Sequence, residues 1–161
     1  MIPEAVHARL NAQVTNELNA AQVYLAASFH LETLALKALA SHFRKQAEEE
    51  RGHALKLADF IVETGGKVTL GAIAAPSADY PSVTAVIDAA AAHERKVTHQ
   101  IHEIAFIADQ HKDLATRSFI QWFIDEQVEE VASMDHLAQI AKLAGPNLLQ
   151  LEAYVRAMGR E

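Results

Sequence analysis

Residues 46–53 read Gln-Ala-Glu-Glu-Glu-Arg-Gly-His, and the pair Glu50-x-x-His53 inside them lies 33 residues after Glu17. The same interval separates Glu94 from Gln127-x-x-Glu130. Residues three apart share one face of an α-helix, so each interval sets a single carboxylate on one helix beside an i, i+3 couple on the next. Metal-ligand residue types recurring at equal intervals predict two antiparallel helix pairs. That is how a four-helix bundle builds a two-metal site in its core.

The rest of the chain divides accordingly. From Pro3, suited to a first helical turn, to about residue 33 there is neither Gly nor Pro, and apolar residues recur at helical spacing. A second helix is expected over about 38–64, stopped by Gly65-Gly66. The turn between them is poorly marked, since Thr33-Leu-Ala-Leu-Lys37 could itself be helical; the pairing of Glu17 with Glu50 requires a reversal near residue 34. Residues 66–82, with Gly71, Pro76 and Pro81, form a connection long enough to cross a bundle. Ser82 is a plausible cap for a third helix over 83–108, the polar run Asp109–Asp113 marks a turn, and a fourth helix covers 113–144 up to Gly145-Pro146. Asn147-x-x-Gln150 resembles a capping box opening a short fifth helix over 148–158.

The candidate ligands interrupt apolar seams. Alternating steps of four and three along the third helix pass through Val83, Ile87, Ala90, Glu94, Val97, Ile101, Ile104 and Ala108. On the fourth they pass through Thr116, Ile120, Phe123, Gln127, Glu130, Met134, Leu137 and Ala141. The first helix offers Leu10, Val14, Glu17, Ala21, Tyr24 and Ser28, and the second Leu39, Phe43, Glu50, His53 and Leu57. Four carboxylates are thus expected at similar height in one interior. No Lys or Arg occupies these positions, and burying an unpaired carboxylate costs several kcal/mol. Two divalent cations would balance the charge, and carboxylates with one imidazole favour iron or manganese.

Bulk properties agree. At 161 residues, half of them hydrophobic, the chain fits one globular domain. The absence of cysteine excludes disulfides and thiolate metal sites. A formal charge of −7 with no basic cluster argues against nucleic acid and anionic membranes as partners. The N-terminal residues carry no basic segment followed by an apolar one, and no apolar run approaches a membrane span, so a cytoplasmic location is expected.

Glu17, Tyr24, Glu50-Arg51-Gly52-His53, Glu94, Trp122 and Gln127-x-x-Glu130 together resemble the non-haem bacterial ferritins, members of the ferritin-like di-iron carboxylate family, over essentially the whole chain. The resemblance implies an all-α, ferritin-like four-helix bundle with a long crossover between the second and third helices and a short C-terminal fifth helix, as a single domain over 1–161. It implies that Glu17, Glu50 and His53 hold a first iron and that Glu50 bridges to a second on Glu94 and Glu130. Gln127 would position the second iron or dioxygen, and Tyr24 would donate an electron or a hydrogen bond. Glu49, Glu126 and Glu129 would form a third iron site toward a cavity, and Trp122 would lie near the centre.

The implied activity is that of a ferroxidase, oxidising iron(II) to iron(III) with dioxygen or hydrogen peroxide and storing it as ferric mineral. The implied partner is the chain itself, in a hollow shell of 24 subunits whose four-fold axes the fifth helix would line. Haem is not expected: bacterioferritins carry Met directly after the second-helix Glu and Glu-x-x-His on the fourth helix, where this chain has Arg51 and Gln127-x-x-Glu130. Animal ferritins line their three-fold channels with acids where Arg117 and Ile120 stand here, which leaves the iron route open. The alternatives are a non-catalytic iron-binding cage subunit, a DNA-protecting mini-ferritin, and a di-iron oxygenase. The ligand set, the fifth helix, the lack of a basic tail and the modest length disfavour them. His99 and His102 could pair on the third helix, but they fall outside its seam.

Overall fold

The computed structural model describes residues 2–159, and among them the secondary structure is entirely helical. The helices are α1 (Glu4–Thr33), α2 (Lys37–Glu63), α3 (Val83–Gln110), α4 (Leu114–Ala144) and α5 (Leu148–Met158). α1 packs along α2 and α3 along α4, α1 also meets α3, and α5 rests on α2 and α4. This is the all-α four-helix bundle with a long crossover and a short fifth helix. α3 runs two residues past its expected end, because the polar segment from Asp109 completes the helix before the chain turns.

Caps explain most of the boundaries. The side chains of Ser82, Asp113 and Asn147 accept the N–H groups of Ala85, Thr116 and Gln150. Gly65, at φ 81°, ends α2. Within each helix pair, however, the reversal is made by a residue other than glycine in the left-handed region: Ala35 at φ 60° and Lys112 at φ 56°. Each is followed by a residue whose N–H reaches back into the last turn, Leu36 to the carbonyl of Leu31 and Asp113 to that of Ala108. Lys112 lies 77 residues after Ala35, the same offset that separates Glu94 from Glu17 and Gln127 from Glu50.

The N-cap of α2 is Leu36, whose side chain can accept no hydrogen bond. The missing acceptor comes from α5. Buried Glu152 accepts the N–H groups of Ala38 and, at 3.0 Å, Leu39, which ties the fifth helix to the start of the second. The apolar face of α5 therefore has a partner within the chain, with Leu151 and Val155 buried alongside Leu36 and Leu39. The crossover is bound as an extended strap along α1. His7, Asn11 and Thr15, one helical turn apart, accept the backbone N–H groups of Lys67, Thr69 and Gly71 in turn. A Cβ at Gly71 would come within 3.1 Å of Thr15, which accounts for glycine there.

The interior divides into two apolar clusters. One contains Tyr24, Phe43, Ile87, Met134 and Leu137, the other Leu10, Leu57, Ile101, Ile104 and Phe123. Along every helix of the bundle the candidate ligands fall between the two. The seams on α3 and α4 are buried throughout. On α1 one position departs from expectation: Ala20 is buried and Ala21 only half-buried, because a helix turn is not a whole number of residues.

Glycine occupies the left-handed region without the Cβ penalty of about 1–2 kcal/mol, offset by its greater unfolded-state entropy. Ala35→Gly and Lys112→Gly are each expected to raise stability by about 0.5–1 kcal/mol, read from denaturant unfolding. An unchanged or lowered midpoint would show that these turns carry no strain.

Candidate metal centre

Glu17, Glu50, His53, Glu94, Gln127 and Glu130 are all buried, none more than 7 % exposed. No Lys or Arg is buried among the described residues, so the carboxylates have no cationic side chain to neutralise them. One donor atom each of Glu17, Glu50 and His53 lies within 4.8 Å of the others, and His53, Glu126 and Glu130 form a second group on the same criterion. The Nδ1 of His53 is 3.5 Å from a Glu50 oxygen.

Neighbouring donors each hold one side of the centre. Gln13 donates to Glu17 at 2.8 Å, Gln46 to Glu130 at 2.9 Å, Thr98 to Gln127 at 3.0 Å, and the Tyr24 hydroxyl to Glu94. Four buried carboxylate oxygens remain without a donor: one each on Glu17 and Glu94, and both on Glu50. Buried acceptors of this kind are rare unless a cation or a proton serves them. The expected second-ligand set of Glu50, Glu94 and Glu130 does not itself form a close group, since Glu94 is drawn to Tyr24 and Glu130 to Gln46 and His53. Like charges without a cation between them separate, and each takes the donor within reach.

Protonation shifts follow from the same crowding. Burial raises the Glu50 pKa to about 8, reinforced by the carboxylates of Glu94 and Glu130. Burial does the same for Glu130, also to about 8, with Glu94 and Glu49 adding to it. Glu17 and Glu94 are raised as well, first by burial and then by Glu50 and Glu17 respectively. The Tyr24 phenol is raised by burial and by Glu94, which accepts its hydrogen bond.

Aromatic rings wall the centre on the His53 side. The edges of Trp122 and Phe123 meet the His53 ring at 5.6 and 5.8 Å, and Lys56 covers the Trp122 ring at 3.6 Å. Glu49, Glu126 and Glu129 line an acidic cleft of about 310 Å³ with Glu130, His42 and Lys45, so the three acids expected to act together share one opening beside the centre. His99 and His102 are exposed, and His99 lies beside Glu103 instead. The supporting donors Gln13, Gln46 and Thr98 were not anticipated. Gln13 is four residues before Glu17, so helix spacing alone could have found it, whereas Gln46 reaches Glu130 across the bundle and Thr98 reaches Gln127 on the facing helix.

The ferritin-like domain family matches residues 7–143. The chain belongs to the ferritin family. This ferritin is 35% identical to Ferritin BfrB of Mycobacterium tuberculosis over 149 residues, covering 92% of this chain and 82% of the relative. It is 33% identical to a bacterial non-heme ferritin of Staphylococcus aureus over 151 residues, covering 93% and 90%. In three dimensions it is similar to a novel open pore ferritin from the hyperthermophilic archaeon Archaeoglobus fulgidus, with a TM-score of 0.94, 35% identity, and 98% of this chain and 97% of that chain covered. No helix of this ferritin is long and apolar enough to cross a membrane, among the described residues.

The raised carboxyl groups make stability depend on pH. Because Glu50 and Glu130 hold protons in the folded state up to about pH 8 and lose them near 4.5 when unfolded, their stabilisation is full below about 4.5 and lost as pH rises through 8. Metal-free protein is therefore expected to melt higher near pH 6 than near pH 8.5. Glu50→Gln should flatten that slope, and a divalent cation should reverse it by binding the ionised form. A metal-free melting temperature that rises across this range would contradict the assignment.

Proposed function

We propose that this ferritin takes iron(II) as its substrate, oxidises it to iron(III) with dioxygen at a di-iron centre, and stores the product as ferric mineral inside a cytoplasmic shell of 24 identical chains. The observation that carries the reading is the set of four buried carboxylate oxygens, on Glu17, Glu50 and Glu94, that have no hydrogen-bond donor in an interior without Lys or Arg. Such a cage is costly unless cations enter it, and oxygen donors with one imidazole suit iron.

Glu17, Glu50 and His53 take one iron, and Glu50, with neither oxygen committed to a donor, bridges to a second on Glu94 and Glu130. Gln127 lies beside the second, its carbonyl held by Thr98. Holding two iron(II) ions together lets dioxygen take one electron from each, and the anionic cage favours the higher charge of iron(III). Tyr24 fixes Glu94 through its hydroxyl and is a phenol able to supply an electron. Glu49, Glu126 and Glu129 form a third site that receives iron from the centre, in the cleft that opens beside Glu130. The two principal sites are unequal, since only the first has an imidazole. The second is expected to bind iron more weakly.

Stopped-flow mixing of metal-free protein with iron(II) and dioxygen tests the reading. Glu50→Ala and His53→Ala should each slow iron(III) formation by at least about tenfold, the scale seen when residues around a metal are removed. If the wild type oxidises iron no faster than these variants, the ferroxidase assignment fails. Light scattering tests the shell independently: the particle should hold 24 chains of 17.6 kDa, and a monomer or small ring would remove it.

A further inference from the structure

Between the start of α2 and the end of α5 lies a cleft of about 610 Å³ that contains none of the residues of the metal centre. Its wall is basic in a chain whose formal charge is −7. Lys37, Ser41, His42 and Lys45 lie on one face of α2, Arg156 comes from α5, and none of the lining residues among those described is acidic. Two turns of α2 and the end of α5 therefore collect three cations around one opening.

These charges are only partly answered within the chain. Glu152 lies 3.7 Å from Arg156, while its oxygens also accept the N–H groups of Ala38 and Leu39. Lys37 and Lys45 make no ion pair among the described residues. With Glu152 beside Arg156 and Glu49 in the field of Lys45, the wall still keeps one cation more than the carboxylates that answer it, which suits an anion. Clustered cations repel, and an anion bound among them removes that repulsion. His42, whose pKa is lowered by burial and by Lys45, lines the cleft as a neutral ring and adds no further charge to it.

We propose that the α2–α5 cleft binds a phosphate group, with Lys37, Lys45 and Arg156 on its anionic oxygens and Ser41 as a hydrogen-bond donor. Arg156 contributes a planar fork suited to two oxygens, and the lysines act as point charges. The volume admits either free phosphate or a phosphate carried on a small organic molecule. His42 and Lys45 also line the acidic cleft of Glu49, Glu126 and Glu129, so a bound phosphate shares a wall with the proposed third iron site. That neighbourhood matters only if the ferroxidase reading holds, whereas phosphate binding stands without it.

Isothermal titration calorimetry on the metal-free, assembled protein at low ionic strength separates the two. Inorganic phosphate and adenosine monophosphate are titrated in parallel. Saturable binding of inorganic phosphate that is as tight or tighter identifies free phosphate as the ligand, and tighter adenosine monophosphate identifies an organic phosphate. Lys45→Gln and Arg156→Gln should each weaken the bound form about tenfold, Arg156→Lys should restore part of the loss, and Lys142→Gln, on an exposed face of α4, should leave binding unchanged. Circular dichroism melts confirm that each variant is folded. Heats that fail to saturate with either ligand, or an equal loss in Lys142→Gln, overturn the site.

Discussion

The structure depends on one electrostatic constraint: four glutamates buried in the middle of a helical bundle with no buried Lys or Arg among the described residues to answer them. An apolar interior alone cannot hold such a layer, because ionised carboxylates lose hydration on burial and repel one another. Two features of the fold offset the cost. The layer is sandwiched between two apolar clusters that supply the packing it lacks. Gln13, Tyr24, Gln46 and Thr98, each placed one helix turn away or on the facing helix, donate to one side of the centre and leave the other side free.

The free side is the one open to the proposed cations. Oxygens of Glu17, Glu50 and Glu94 that no protein donor satisfies are the groups whose pKa burial raises, so the metal-free site retains protons that an entering cation must displace. Donors to Glu17, Glu94, Gln127 and Glu130 orient those four side chains, while Glu50 is held by packing alone. The same logic fails for the two outer histidines, His99 and His102, which are exposed and face solvent.

The internal repeat runs deeper than the ligands. An offset of 77 residues relates not only Glu17 to Glu94 and Glu50 to Gln127 but also the left-handed turn residues Ala35 and Lys112. The same spacing from ligand to turn in both halves is what brings the two carboxylates and the two i, i+3 couples to corresponding heights. The halves then diverge in chemistry. His53 corresponds to Glu130, so one half carries the imidazole and the other does not. Their supports differ too, since Gln13 and Gln46 have Ala90 and Phe123 at the corresponding places.

Spacing and polarity along the chain by themselves determined the helix pairs, the buried seams on α3 and α4, the capping by Ser82 and Asn147, and the six inward-facing residues of the centre. These are local properties: helix periodicity fixes a face, and a face of apolar residues must be buried. Only the tertiary structure decided which donors hold those residues, that Glu94 sits with Tyr24 and Glu130 with Gln46, and that Glu152 on the last helix caps the start of α2. Those contacts join residues 70, 84 and more than 110 positions apart. The turn at Ala35 was faint for a different reason. Its left-handed backbone is held by hydrogen bonds to the preceding helix rather than by a glycine, so no residue type announced it.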